Sequence, residues 1–187
     1  GFLIKPVSPS MLFDTIMEAF GKSTGLPVGV QARKDKYPEG FDSVRGARLL
    51  LVEDNEINQQ VAREILEQEG FYVEVAENGR VALEKLMESE TYELVLMDLQ
   101  MPVMDGYEAT LAIRGDEKLK KLPIVAMTAD AMSGVREEVV KTGMSDYVTK
   151  PIDPLELWNA LVKCLPAGER ELPEEYLSLA VSADTDE

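Results

Sequence analysis

The chain has 187 residues, a formal net charge of −16, one cysteine and no histidine. One cysteine excludes an intrachain disulfide, and the lack of histidine excludes His-ligated zinc, Ser-His-Asp catalysis and a phosphohistidine within this chain. The acidic composition disfavours direct contact with nucleic acid or with anionic membranes, and no stretch approaches the roughly 20 apolar residues of a membrane span.

The first residues of the chain share a pattern with a segment near its end. Lys5-Pro6 aligns with Lys150-Pro151, and in both places a strand-like piece meets Lys-Pro before a capped amphipathic helix. We interpret residues 1–20 as the last strand and helix of a preceding domain of the same kind. Because Gly1 is not an initiator methionine, we expect a fragment of a longer protein, whose other parts can be attached to a membrane. The single cysteine, Cys164, suits a cytoplasmic location for the fragment.

Three further segments differ in composition. Residues 21–46 are rich in glycine and mixed in charge, which is typical of an interdomain linker. Residues 47–166 alternate apolar runs with amphipathic helical patterns. The predicted strands lie near 48–54, 72–77, 94–98, 124–128 and 146–150, and the predicted helices near 56–69, 79–89, 105–115, 131–142 and 153–165. Residues 167–187 are acidic and are expected to form a largely disordered tail.

The strict alternation of strand and helix determines the fold class. Short connections between alternating elements imply a parallel sheet that is covered by helices on both faces. A domain of about 120 residues suits the smaller of the common doubly wound folds. We therefore predict an α/β fold, a flavodoxin-like (βα)5 doubly wound parallel sheet with strand order 2-1-3-4-5.

Polar side chains follow four of the predicted strands, at the point where each strand ends. Glu53 and Asp54 come directly after the first strand, Asp98 ends the third, Thr128 ends the fourth and Lys150 follows the fifth. The carboxyl ends of the strands are where open α/β folds bind ligands. Three clustered carboxylates repel one another and therefore call for a bound cation. A lysine ammonium group and a hydroxyl group, in contrast, suit a bound anion. The combination predicts a site for magnesium and phosphate.

Phosphoryl transfer needs an in-line nucleophile, a cation and donors aimed at the phosphoryl oxygens. Asp98 fits the nucleophile, because a carboxylate at the end of a buried strand is held at the edge of the sheet and can form an acyl phosphate. Glu53 and Asp54 supply further negative charge for magnesium. Lys150 provides a compact cation and Thr128 a hydroxyl donor for the phosphoryl group. We expect a cis peptide bond before Pro151, which would direct Lys150 inward.

These residues resemble those of the response-regulator receiver domain. The matching motifs are Val52-Glu53-Asp54-Asn55, Met97-Asp98-Leu99-Gln100-Met101-Pro102-Val103-Met104-Asp105-Gly106, Met127-Thr128-Ala129 and Lys150-Pro151. Two longer segments resemble the receivers of hybrid sensor histidine kinases in particular. They are Glu53-Asp54-Asn55-Glu56-Ile57-Asn58-Gln59 and Asp98-Leu99-Gln100-Met101-Pro102. The resemblance covers residues 47–165 fully and residues 1–20 as a remnant.

The resemblance implies that Asp98 accepts a phosphoryl group from a phosphohistidine in a two-component phosphorelay. It implies that Asp54, Asp98 and the main-chain carbonyl of Gln100 bind Mg²⁺, or Mn²⁺ in its place, with Glu53 acting through water. Lys150 would contact the phosphoryl group. The implied partner is a histidine kinase or a phosphotransfer domain that carries phosphohistidine, and a second receiver is a further candidate partner.

The resemblance also implies a conformational switch that involves Thr128 and Tyr147. Phosphorylation would draw Thr128 inward and let Tyr147 follow, which would remodel the surface of residues 129–152. As a partly buried amphipathic ring, Tyr147 needs no switch role to explain it. The fragment itself would show only magnesium-dependent self-phosphorylation and slow autodephosphorylation, whereas its parent protein would be a histidine kinase.

Two other classes of function stay open at this point. A phosphorylation-independent pseudo-receiver would keep the fold and act by surface contacts, but it would not need the three acids, Thr128 and Lys150. A phosphatase with an aspartate nucleophile usually needs a second aspartate two residues later as its acid or base, and Gln100 stands there. We place Asp105 outside the site, because it can cap the helix that follows it.

Overall fold

The computed structural model describes residues 37–89, 91–129, 133–174 and 176, so the predicted remnant 1–20 lies outside the described residues. The strands are β1 (Arg48–Val52), β2 (Tyr72–Ala76), β3 (Leu94–Asp98), β4 (Ile124–Thr128) and β5 (Asp146–Thr149). The helices are α1 (Glu56–Gln68), α2 (Gly79–Glu88), α3 (Gly106–Gly115), α4 (Ser133–Thr142) and α5 (Pro154–Cys164). None of the helices in the described part of the chain combines the length and the apolar character that crossing a bilayer requires.

The five strands form one parallel sheet in the order β2-β1-β3-β4-β5, which confirms the predicted flavodoxin-like fold. The central strand β3 is buried along its whole length, as its continuous apolar run requires. Alternate residues of β1 serve opposite faces of the sheet. Leu49 and Leu51 pack in the same core as Trp158 of α5, whereas Leu50 packs in a second core with Ile113 of α3.

The strand register places the carboxyl ends of the strands side by side. Val52 of β1 pairs with Met97 of β3, and Asp98 pairs with Met127 of β4. Thr128 in turn pairs with Thr149 of β5. Polar residues that follow these positions therefore emerge at one edge of the sheet.

Short polar side chains begin the helices at that edge. The Asn55 side chain accepts hydrogen bonds from Ile57 N and Asn58 N at the start of α1. Asp105 and Glu108 form a reciprocal capping box at the start of α3, which confirms the capping role predicted for Asp105. A cap of this kind stabilises a helix by about 1 kcal/mol, so it helps to fix the point where each strand-end loop becomes a helix.

The segment before β1 packs against the domain, although composition alone assigned it to the linker 21–46. Residues Phe41–Ser43 form a short 3-10 helix, and Phe41 and Val44 are buried. The Phe41 ring lies 5.0 Å from the ring of Trp158, measured between centroids. The described end of the predicted linker is thus part of the hydrophobic core.

The segment after α5 also packs against the domain, at the end of the sheet opposite the strand-end acids. The Arg170 guanidinium binds both carboxylate oxygens of Glu93, with Nη2 2.7 Å from Oε2 and Nε 3.1 Å from Oε1. Its Nη1 donates to the Ser43 carbonyl at 2.9 Å, and the Gly168 N–H donates to the same carbonyl at 3.0 Å. The described start of the predicted disordered tail therefore joins the segment before β1 to the domain.

We predict that Arg170→Ala lowers the free energy of unfolding by about 2 kcal/mol, because it leaves a partly buried carboxylate and a main-chain carbonyl without their charged donor. Arg63→Ala is the matched control, since Arg63 forms an exposed pair with Glu67 one helical turn away. Such pairs contribute only about 0.3–0.5 kcal/mol. Urea denaturation measures both changes, and equal losses for the two variants would contradict the packed role of Arg170.

Candidate functional site

Three carboxylates converge at the carboxyl edge of the sheet. Glu53, Asp54 and Asp98 each place one oxygen within 4.8 Å of the others. Glu53 and Asp98 are only 2% and 6% exposed, whereas Asp54 is open to solvent. The structure therefore brings these three acids together, as the sequence predicts.

Lys150 lies between the two buried acids. Its Nζ is 2.5 Å from Glu53 Oε2 and 2.7 Å from Asp98 Oδ2. The Lys150 main-chain N–H donates to the Thr128 carbonyl at 2.7 Å, and the bond to Pro151 is cis, as predicted. The ammonium group therefore joins the ends of three strands at one point.

Burial and charge shift the pKa values of Asp98 and Lys150. Burial raises the pKa of Asp98 above its usual range, and the hydrogen bond from Lys150 only partly opposes this effect. Burial alone would lower the pKa of Lys150, but its hydrogen bonds to Asp98 and Glu53 prevail and raise that pKa. The lysine is thus held in its charged form, and Asp98 is a carboxylate whose negative charge is incompletely compensated.

The oxygen set fits a hard divalent cation. Magnesium binds carboxylate oxygens and keeps several waters, and one exposed acid beside two buried ones allows such partial hydration. Gln100 N donates to Asp98 Oδ1 at 3.1 Å, which orients the carboxylate from the side of the following loop. A role for the main-chain carbonyl of Gln100 as a metal ligand stays a prediction.

The two predicted switch residues lie on β4 and β5. Thr128 is buried at the end of β4, one residue beyond Met127, which pairs with Asp98. Tyr147 pairs with Ala126 and is a partly buried member of the second core. Thr128 is therefore close to the end of β3 that carries Asp98, whereas Tyr147 lies farther back along the sheet.

Two amides near the start of α1 contact the site, and the sequence analysis assigned them no role. Asn58 Nδ2 donates to Glu53 Oε1 at 3.0 Å, and Gln59 Nε2 donates to the Glu53 carbonyl at 2.6 Å. The available signal was their position, one helical turn after the acids, where a side chain can reach back over the helix N-terminus.

We predict that neutralising Asp98 changes how stability depends on pH. A carboxyl group whose folded-state pKa is raised contributes stability that is fully present below about pH 4 and is lost as the pH rises through the raised value. Asp98→Asn lacks this loss, so its stability relative to the wild type should improve between about pH 3 and pH 7 in the presence of EDTA. Chemical denaturation across that range measures the difference, and a change of opposite sign would contradict the assigned electrostatics.

The family model for the response regulator receiver domain matches residues 49–162. The sensor histidine kinase GacS of Pseudomonas protegens is 40% identical over 166 residues, which cover 83% of this chain and 18% of that protein. The histidine-protein kinase BarA of Shigella flexneri is 32% identical over 168 residues, which cover 89% of this chain and 17% of that protein. The chain thus spans less than a fifth of the length of these kinases.

Solved structures of similar domains share the fold. The receiver domain of a sensor histidine kinase from Pseudomonas aeruginosa, with a magnesium ion coordinated in the active site cleft, is 39% identical with a TM-score of 0.59, covering 64% of this chain and 97% of that one. The chemotaxis protein CheY4 of Vibrio cholerae is 30% identical with a TM-score of 0.60, covering 64% of this chain and 98% of that one. The matched family model, the sheet order and the strand-end acids agree, and this chain belongs to the response regulator receiver domain family.

Proposed function

We propose that this domain accepts a phosphoryl group on Asp98 from a phosphohistidine, with Mg²⁺ bound by Asp54, Asp98 and the Gln100 carbonyl and by Glu53 through water. The observation that carries the proposal is the contact of Lys150 with two buried carboxylates beside a third, exposed one. A merely structural sheet edge has no need for three acids, since each buried carboxylate costs desolvation energy. Mn²⁺ is an alternative cation for the same oxygens.

The chemistry requires little covalent participation by the protein. An Asp98 carboxylate oxygen attacks the phosphorus, the phosphorus–nitrogen bond of the phosphohistidine breaks, and the electron pair stays with the imidazole. Lys150 Nζ lies 2.7 Å from Asp98 Oδ2, so it is placed to contact an oxygen of the transferred group. A cation held by these acids would neutralise charge on the phosphoryl oxygens, and Thr128 would supply a further hydroxyl donor.

The switch is part of the same proposal. Thr128 lies at the end of β4 beside the phosphoacceptor strand, and Tyr147 lies on the neighbouring β5. Drawing Thr128 toward the phosphoryl group would open space that the Tyr147 ring can enter. The surface formed by residues 129–152 would then differ between the two states.

The relatives suggest the wider context. We propose that the chain is the cytoplasmic receiver part of a hybrid histidine kinase, preceded by the remnant 1–20 of another receiver. The kinases GacS and BarA match it over 83% and 89% of its length, and a Dictyostelium discoideum protein named as a hybrid signal transduction histidine kinase is 41% identical over 61% of it. A Saccharomyces cerevisiae structure contains the histidine phosphotransfer protein Ypd1 with the receiver domain of Ssk1, which is 33% identical with a TM-score of 0.55, covering 58% of this chain and 81% of that one. A phosphotransfer domain of this kind is the partner that we propose.

We predict that the protein gains the mass of one phosphoryl group when it is incubated with acetyl phosphate and Mg²⁺, and that Asp98→Asn gains none. Asp105→Asn is the matched control, because Asp105 caps α3 and asparagine preserves a capping side chain. Intact-mass spectrometry measures the gain. No gain by the wild type under conditions that phosphorylate another receiver would support the pseudo-receiver alternative instead.

The surface around the site offers an apolar contact for a protein donor. Ile57 is 72% exposed and Val61 42% exposed on α1, one helical turn apart on the helix that begins beside the acids. Val103 is 71% exposed in the loop after Asp98. Apolar side chains at this edge suit a helical partner that carries its histidine toward Asp98.

We predict that Ile57→Ala slows phosphoryl transfer from a phosphorylated phosphotransfer domain about tenfold, while transfer from acetyl phosphate is unchanged. The loss of an exposed isoleucine side chain from an interface accounts for about 1.4 kcal/mol, which is a factor of ten. Met87→Ala, an exposed apolar change on α2, is the control. Equal slowing with both donors would show that Ile57 affects the site rather than docking.

A further inference from the structure

We propose that Asn58 is a positioning residue for the metal site, which holds the Glu53 carboxylate in the orientation that magnesium binding requires. The proposal rests on the proposed function, because it assigns a role toward the cation held by the acids. Asn58 lies on α1, four residues after Asp54, and carries an amide rather than a carboxylate.

The contacts place Asn58 at one side of Glu53 and Lys150 at the other. Asn58 Nδ2 is 3.0 Å from Glu53 Oε1, and the Asn55 N–H is 3.3 Å from the same oxygen. Lys150 Nζ contacts the second oxygen, Oε2, at 2.5 Å. Both carboxylate oxygens therefore have defined donors, and the plane of the carboxylate is fixed between them.

The main chain of Glu53 is fixed from the same helical turn. Gln59 Nε2 donates to the Glu53 carbonyl at 2.6 Å, and Gln59 N donates to the Asn55 carbonyl at 2.9 Å. Consecutive amide side chains of α1 thus bind the side chain and the backbone of one acid. The cap of α1 by Asn55 holds this turn in place, so the acid and the helix N-terminus form one unit.

The length of the glutamate side chain explains how such a contact can assist metal binding. A glutamate has one more rotatable side-chain bond than an aspartate, so an untethered Glu53 would lose more rotamer freedom when it orders around a cation. Asparagine is a poor residue for the interior of a helix, because its amide competes with the backbone for hydrogen bonds. At position 58 that amide donates to Glu53 instead. The contact restricts the rotamers of the Glu53 side chain before a cation binds.

The first experiment compares Mg²⁺ affinities by isothermal titration calorimetry at pH 7 for the wild type, Asn58→Ala and Gln60→Ala. We expect the dissociation constant of Asn58→Ala to rise about tenfold, the lower end of the usual effect of outer-shell partners, because Asn58 is itself solvent-exposed. Gln60→Ala is the matched control, since Gln60 bonds to Glu64 on the exposed side of the same helix. It should bind Mg²⁺ as the wild type does.

A double-mutant cycle with Glu53→Asp separates positioning from a general effect on α1. The shorter aspartate side chain of that variant cannot reach the Asn58 amide, so removing the amide in that background should leave the Mg²⁺ affinity unchanged. An equal loss of affinity in both backgrounds would overturn the proposal, since a merely destabilised helix would act in the same way on either acid.

The outcomes also separate this inference from the proposed function. If the wild type binds Mg²⁺ and Asn58→Ala binds it equally well, the positioning role is wrong while the metal site stands. If the wild type binds no Mg²⁺ at millimolar concentrations, the proposed function fails and the inference fails with it. Thermal unfolding adds a measurement that does not depend on calorimetry. The difference in unfolding temperature between Asn58→Ala and Gln60→Ala should be smaller without metal than in saturating Mg²⁺.

Discussion

The contact of one ammonium group with two buried carboxylates is the interaction on which the site depends. Lys150 contacts Glu53 and Asp98 across sequence separations of 97 and 52 residues. This contact therefore forms only when β1, β3 and β5 end at the same edge of the sheet. Without the lysine, the two acids would repel each other in a poorly solvated place. With it, the two carboxyl groups are held close together beside a positive charge, which is the arrangement that a divalent cation and a phosphoryl group require.

The rest of the fold maintains this edge. The parallel register places Asp98 opposite Met127, and the capped helix α1 begins at Glu56, shortly after β1 ends at Val52. The segments before β1 and after α5 pack at the other end of the sheet, where Arg170 binds Glu93 and the Ser43 carbonyl. The described segments that flank the domain therefore pack at the end of the sheet opposite the three acids.

Sequence reasoning predicted the elements and the strand-end acids, but it did not predict the contacts outside regular elements. The strands were predictable because continuous apolar runs such as 94–97 are typical of buried parallel strands, and parallel strands bring their carboxyl ends together. Phe41 and Arg170 were assigned to a linker and a tail because their packing depends on distant partners, Trp158 and Glu93, that no periodicity reveals. Asn58 was visible in the motif, but its hydrogen bond to Glu53 depends on a side-chain direction that spacing alone does not give.

The most direct test is a crystal structure of the protein with Mg²⁺ and beryllofluoride, a stable mimic of a phosphoryl group. Our account predicts beryllium bonded to an Asp98 carboxylate oxygen, with Mg²⁺ against Asp54 and Asp98 and with Lys150 Nζ turned to a fluorine atom. The contact between Lys150 and Asp98 would then be replaced by contacts to the bound group. A structure in which Lys150 still bridges Glu53 and Asp98, with no cation at the three acids under saturating Mg²⁺, would contradict the account.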